Sequence, residues 1–431
     1  MAFSKFLDKL IGMVLIGKIG GVDNQNTKED QMEYNTLELW QEINENGVIY
    51  DHNSLFAYFE KVNDPRQSRG KRYHLTTLLV IIFLAKLCGQ DTPVEIADWA
   101  KNHAEELVQL LKLKRSWMPH HNTIRRVFQN ILDEAEFDRL IQEYQQQQVN
   151  SSEQLAMDGK TLRGTRIGGG EPADHVLSVY DVQQQRVLAQ AAVERKENEI
   201  LAAPRALEQV AIAEKIISGD AMHAQRALSA QIVERGGDYL WVVKENQGRL
   251  YQDMVQLFDP DEPKPGFGKI ATDFQQAQTV NKGHGRLEKR RIQTSTMLNA
   301  YLDWPGLGQV YQLERCITWI RQGKVIKTSH EVEYGITSLT PAKATPKRVM
   351  QIRRKHWHIE TGLFYRRDVT FREDATRMTK GAAGRILATI HNVVLALIKQ
   401  AGFQNAAQAR RWFDGHIDQA FALLVIRNSR L

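Results

Sequence analysis

Cysteine is almost absent from this chain: Cys88 and Cys316 are the only two in 431 residues. That excludes a disulfide framework and any cysteine-rich zinc module, and it fits a reducing compartment. Long apolar runs are missing too. The longest, LLVIIFLA at 78–85, falls well short of the ~18 residues that span a bilayer and reads as a buried helix or strand. Residues 5–20 hold a short apolar core with no small-x-small cleavage site after it. They are expected as an amphipathic helix, not a secretion signal, and the expected location is cytoplasmic. No internal repeat occurs, and low complexity is confined to the glutamines at 145–148. Acid is the scarcer charge: 57 Lys and Arg face 51 Asp and Glu, leaving a net charge of +6. A modest basic excess favours a polyanionic partner over an acidic small molecule.

What is present is an ordinary globular composition, 42% hydrophobic and 25% charged, long enough for two or three domains. Residues 1–36 read as an N-terminal helix and polar linker. From 37 to 148 apolar residues recur at helical spacing, and Pro93 and Pro119 sit where helices should begin. After the polar stretch 142–154 the pattern changes. LAMDG, HVLSVYDVQQQRVLAQAAV, KIISGDA and DYLWVVKEN read as strands, with helices at 198–213 and 222–236. That order predicts an α/β domain with a mixed sheet over 150–400. A β-rich insertion is expected at about 250–340, and residues 401–431 read as a helical tail.

Two acids end apolar strands in this reading. Asp158 follows Leu155-Ala156-Met157, and Asp220 follows Ile216-Ile217-Ser218-Gly219. Carboxylates on neighbouring strand ends can share a divalent cation, and oxygen ligands suit Mg²⁺ or Mn²⁺. A third acid, Glu360, lies in RVMQIRRKHWHIETGLFYRRDVTF. On helical spacing it shares a face with His356, Phe364 and Arg367. Taken singly, each acid is as well explained by a turn, a cap or a solvated helix face. Three together can bind two cations about 4 Å apart, the arrangement for in-line phosphoryl displacement. Cations stand beside each acid: Lys160 and Arg163, then His223 and Arg226, then Arg353, Arg354, Lys355, Arg366 and Arg367. Such a site must also hold a phosphate backbone. HWHIE also offers His356, His358 and Glu360 as transition-metal ligands, but on a helix His358 points away from the other two.

These residues carry a resemblance. The segments AMDGKTLRG (156–164), ENEILAAP (197–204), SGDAMHAQ (218–225), GGDYLWVVKENQGRL (236–250), HGRLEKRR (284–291), IRRKHWHIET (352–361) and RDVTFREDATR (367–377) resemble the insertion-sequence transposases of the H-repeat-associated group. That group is a branch of the DDE transposases, and the segments occur in its order. NDPRQSRGKRYHL (63–75) and MPHHNTIRRVF (118–128) resemble the helical domain associated with the family. After Glu360 the chain reads Thr-Gly-Leu-Phe-Tyr, where the group tends to read Asn-x-Leu-His-Trp.

The resemblance implies a ribonuclease H-like catalytic domain, preceded by an all-helical, DNA-binding domain. Its catalytic, metal-binding triad carries over onto Asp158, Asp220 and Glu360, with two Mg²⁺ (or Mn²⁺) ions. The activity implied is metal-dependent cleavage at transposon ends and strand transfer into target DNA. The partners implied are double-stranded DNA and a second copy of the chain in the active complex, with no membrane, in the nucleoid. A domesticated metal-dependent nuclease and an inactive DNA-binding derivative are the rivals. Lys160, Arg163, His223, His356 and Arg367 are the expected phosphate contacts around the acids. His284 and Arg286 are expected on terminal DNA. Thr123 reads as the N-cap of a helix whose first turns present Arg125 and Arg126 to DNA.

Overall fold

The computed structural model describes residues 41–69, 71–147, 152–166, 172–194, 197–259 and 272–426. The reading of residues 1–36 as helix and linker lies outside them. Along the chain, a small hairpin of β1 (Gln41–Ile43) and β2 (Ile49–Asp51) precedes six helices. These are α1 (Leu55–Glu60), α2 (Leu75–Leu87), α3 (Pro93–Asn102), α4 (Ala104–Leu111), α5 (His121–Arg126) and α6 (Glu134–Gln147). Next come β3 (Gln154–Leu162), β4 (Asp174–Asp181), β5 (Arg186–Val193), α7 (Glu199–Glu208), β6 (Ile216–Gly219), α8 (Arg226–Glu234), β7 (Asp238–Val243) and α9 (Gly248–Phe258). The insertion region contributes β8 (Gln275–Gly283), β9 (Arg286–Ser295), β10 (Gln309–Arg321) and β11 (Lys324–Thr337). The chain ends with α10 (Pro346–His356), a π-helical turn Ile359–Phe364, α11 (Tyr365–Val369), α12 (Ala383–Gln400), α13 (Ala406–Asp414) and α14 (Ile417–Val425).

Two compact units result, and neither follows chain order. One contains 150–161 and 175–364; the other combines the N-terminal residues to 149 with 162–174 and 365–431. The division expected from sequence, at 148–150 and 400, follows the chain; packing instead groups the C-terminal helices with the N-terminal ones.

The sheet unit is built on nine strands in the order β5-β4-β3-β6-β7-β11-β10-β9-β8. β3, β6 and β7 run parallel. β4–β5 and the pairs from β7 outward through β8 are antiparallel. Strand alternation sorts the side chains to two cores. Leu155, Met157, Ile217, Tyr239, Trp241 and Val243 face one core with α7, α8 and α9, while Ile216, Leu240, Ile292 and Tyr311 face Val349, Met350 and Ile352 of α10. Helices on both faces explain why the central strands read as near-continuous apolar runs. Trp241 is fully buried, and its indole N–H donates to Ser229 Oγ at 3.0 Å. A buried tryptophan needs such a partner.

In the helical unit, α2 is the run noticed in the sequence, and it is buried on every side. α12 packs on α2 and α6, and α14 on α1 and α2. Pro93 opens α3, with Thr92 and Glu95 closing a capping box before it. Thr123 is not an N-cap: α5 starts at His121, and His120 Nδ1 accepts from the Asn122 N–H at 3.2 Å. No described helix is long and apolar enough to cross a membrane.

Candidate active site

Asp158 is not at the end of its strand, because β3 runs on to Leu162. What ends is the pairing with β6: the last parallel partners are Met157 and Gly219. Asp158, still within β3, and Asp220, just past the end of β6, are the residues that follow this last pair. Both acids therefore leave the ladder at the same level, at the C-terminal edge of the parallel strands, where open α/β sheets present their ligand sites.

Glu360 follows α10, in the π-helical turn. It reaches Asp158. Burial, then the charges of Glu360 and Asp220, push the Asp158 carboxyl up to about 8. Asp158 Oδ1 accepts the Gly159 N–H at 2.9 Å, which offsets only part of that. Asp220 is half exposed, and its Oδ1 lies 3.7 Å from Arg353 Nη2 and 3.8 Å from His356 Nε2. Arg353 is held by a two-pronged bond to Glu333, at 2.6 and 2.7 Å. Burial opposes its charge, but the Glu333 carboxylate more than offsets this and keeps the guanidinium charged. His356 is buried, with Nδ1 3.2 Å from Ser218 Oγ. Burial, then the charge of Arg353, pushes its imidazole down to about 3, so it is neutral at physiological pH. Among the described residues no three His, Cys, Asp or Glu side chains stand as a ready-made metal-binding group. Asp220 directs its carboxylate at Arg353 and His356, and Glu360 is exposed.

The residues expected to contact phosphate differ in how the structure places them. The helix breaks after His356 and re-forms as a π turn before α11. Arg367 lies beyond that turn, in α11. Arg367 is fully buried and bonded to Glu373. His223 is 1% exposed, with Nε2 3.2 Å from Glu199 Oε2. His356 is buried as well, and so is Lys160, whose ammonium lies 6.0 Å from the Phe364 ring centroid. Arg163 is exposed in the 3₁₀ turn after β3, and its backbone N–H donates to Asp374 at 3.1 Å. Arg125 and Arg126 are exposed on α5. His284 and Arg286 are exposed at the β8–β9 turn, where His284 has φ +49°.

Sequence reasoning missed Glu199 and His175. Glu199 opens α7, and its Oε1 meets His175 Nε2 at 2.8 Å. Burial would raise its carboxyl, but hydrogen bonds from His175 and His223 hold it down to about 2. The segment ENEILAAP was among those that carried the resemblance, yet nothing in one dimension indicated its partners.

A mixed sheet with helices on both faces, two acids following its parallel strands at one level, defines a class, the α/β domains. The family is specific. The profile described as "Transposase DDE domain" matches residues 150–397, and the one described as "DDE_Tnp_1-associated" matches 56–145. The chain belongs to the transposase DDE domain family. It is 30% identical over 356 residues to "Putative transposase YncI" of Escherichia coli O157:H7, covering 80% of this chain and 87% of that protein. It is 26% identical over 391 residues to "H repeat-associated putative transposase YhhI" of Escherichia coli K12, covering 88% and 98%. A piggyBac transposase synaptic complex with hairpin DNA aligns at a TM-score of 0.42 and 9% identity, over 86% of this chain and 77% of that one.

Proposed function

We propose that the protein is a DNA transposase that cuts at transposon ends and joins a 3′-hydroxyl to target DNA, with Asp158, Asp220 and Glu360 as its metal-binding acids. One observation carries this. Two carboxylates leave adjacent parallel strands at the same level and a third reaches the first; burial, then the charges of Glu360 and Asp220, push the Asp158 carboxyl up to about 8. A buried acid crowded by two others favours a bound cation over three separate negative charges, and its all-oxygen donors suit Mg²⁺ or Mn²⁺. When bound, such ions activate an attacking water or 3′-hydroxyl and stabilise the leaving oxygen.

The chain's own residues have separable tasks. Arg353, fixed by Glu333, holds positive charge beside Asp220. Neutral His356, in hydrogen-bond contact with Ser218, packs 3.8 Å from the same carboxylate. The exposed cations Arg163, His284, Arg286, Arg125 and Arg126 are candidate DNA contacts. The strand order β5-β4-β3-β6-β7, antiparallel then parallel, supports a ribonuclease H-like reading of the sheet, with β8–β11 as its insertion. Joining two DNA ends calls for two copies of the chain in the active complex. A strand-transfer assay on labelled ends in Mg²⁺ separates joining from simple cutting. A joined product supports a transposase, and cut ends alone a nuclease.

A further inference from the structure

Beside the three acids lies a second polar cluster that the reading above leaves without a task. The Glu199 side chain is only 12% exposed, and both its carboxylate oxygens have partners: His175 Nε2 at 2.8 Å and His223 Nε2 at 3.2 Å. The far nitrogen of His175, Nδ1, meets Thr161 Oγ1 at 2.9 Å. The His223 ring is buried, and neither of its nitrogens makes a hydrogen bond of good geometry among the described residues; its Nε2 meets Glu199 as a close ion-pair contact. A series of contacts, Thr161–His175–Glu199–His223, hydrogen-bonded as far as Glu199 and closed by an ion-pair contact to His223, starts on β3 three residues past Asp158. It crosses β4 and the first turn of α7, and it ends three residues past Asp220.

Two glycines make room for it. A β-carbon on Gly159, next to Asp158, would overlap the Glu199 carboxylate and the His175 ring. A β-carbon on Gly219, next to Asp220, would stand 2.8 Å from the Trp241 ring and 3.1 Å from His223 Cβ. Each acid therefore has a neighbour without a side chain where a member of the cluster packs. The ladder explains why such a tie is useful. Pairing between β3 and β6 stops at Met157 and Gly219, so it fixes neither acid's own backbone. β3 runs on to Leu162 beside β4, so Asp158 stays in the sheet, and the cluster links that continuation of β3 to the segment after Gly219, where the β3–β6 pairing has ended.

We propose that Glu199 is the positioning residue for the first two acids: by joining His175 to His223 it fixes the separation of Asp158 and Asp220. The proposal rests on those acids being the metal-binding pair. Glu199 touches no reacting atom in this account and acts through the backbone of the two strand ends.

The test compares full-length wild type with Glu199→Gln, Glu199→Asp, His175→Gln and Asp158→Asn. Mn²⁺ binding is followed by calorimetry, and cleavage of a labelled end by steady-state kinetics. Glu199→Gln should weaken Mn²⁺ binding at least tenfold and lower kcat about 10- to 100-fold, with KM for DNA within twofold, because only a tight geometry at the reacting centre is lost. Glu199→Asp should recover part of kcat. If Glu199→Gln does not fold, His175→Gln, at the more exposed end of the cluster, decides with the same pattern at smaller amplitude. Wild-type Mn²⁺ affinity and kcat in these variants, or a fall in Tm alone, overturns the proposal. Wild type that binds no Mn²⁺, or Asp158→Asn that cleaves normally, overturns the metal-binding reading beneath it instead.

Discussion

Arg367 donates to both oxygens of Glu373, from Nε at 3.0 and 3.1 Å and from Nη2 at 2.8 Å, with the arginine wholly buried. His391 Nδ1 closes on the same carboxylate at 2.7 Å, and Lys86 Nζ stands 3.1 Å from His391 Nε2. Removing one partner of such a pair strands a buried charge at a cost of roughly 3–5 kcal/mol. Arg367→Ala should therefore lower stability by about that much in chemical denaturation. An unchanged denaturation midpoint with weakened DNA binding would instead make Arg367 a phosphate contact.

Asp138 predicts a pH dependence. Burial, only partly offset by the Thr389 hydroxyl donating to it at 2.5 Å, raises its carboxyl to about 7. The unfolded value is near 3.9. A raised carboxyl stabilises the fold fully below the unfolded value, and that contribution is lost as pH climbs through 7. Asp138→Asn should thus stabilise the protein by about 1–3 kcal/mol at pH 8, with the gain shrinking toward pH 4. Equal Tm differences at both pH values would refute this.

Divalent metal should raise stability through the three acids. At a hundred times its Kd, a ligand that binds only the folded state adds about 2.7 kcal/mol. Mn²⁺ should raise the Tm of the wild type by several degrees and leave Asp158→Asn and Glu360→Gln unmoved. A rise of the same size in the acid variants would place the metal elsewhere.

The β8–β9 turn offers a separable prediction about DNA. Arg286 is exposed there, so Arg286→Ala should leave Tm unchanged while lowering affinity for DNA. With one fewer phosphate neutralised, the slope of log affinity against log salt should shrink by about 1. An unchanged slope would remove Arg286 from the interface.

Much of the sheet was legible because alternation and β-branched runs mark strands locally. LAMDG, KIISGDA and DYLWVVKEN all became parallel strands. The three acids were legible as candidates for a related reason, since two of them follow such runs. The fates of the surrounding cations were not. Arg367 looks like a surface cation until its buried partner Glu373 is known. His223 looks free until Glu199, 24 positions earlier, turns out to hold it. The grouping of α12–α14 with the N-terminal helices depends on packing between residues hundreds of positions apart, which no periodicity records.

The central claim is tested most directly by cleavage of DNA ends taken from the sequence flanking the gene, in Mg²⁺, with one acid changed at a time. Asp158→Asn, Asp220→Asn and Glu360→Gln should each lower the cleavage rate by about 10³-fold or more while the proteins stay folded, as expected when charge stabilisation of the transition state is lost. Cleavage at the wild-type rate in any of the three would contradict the account.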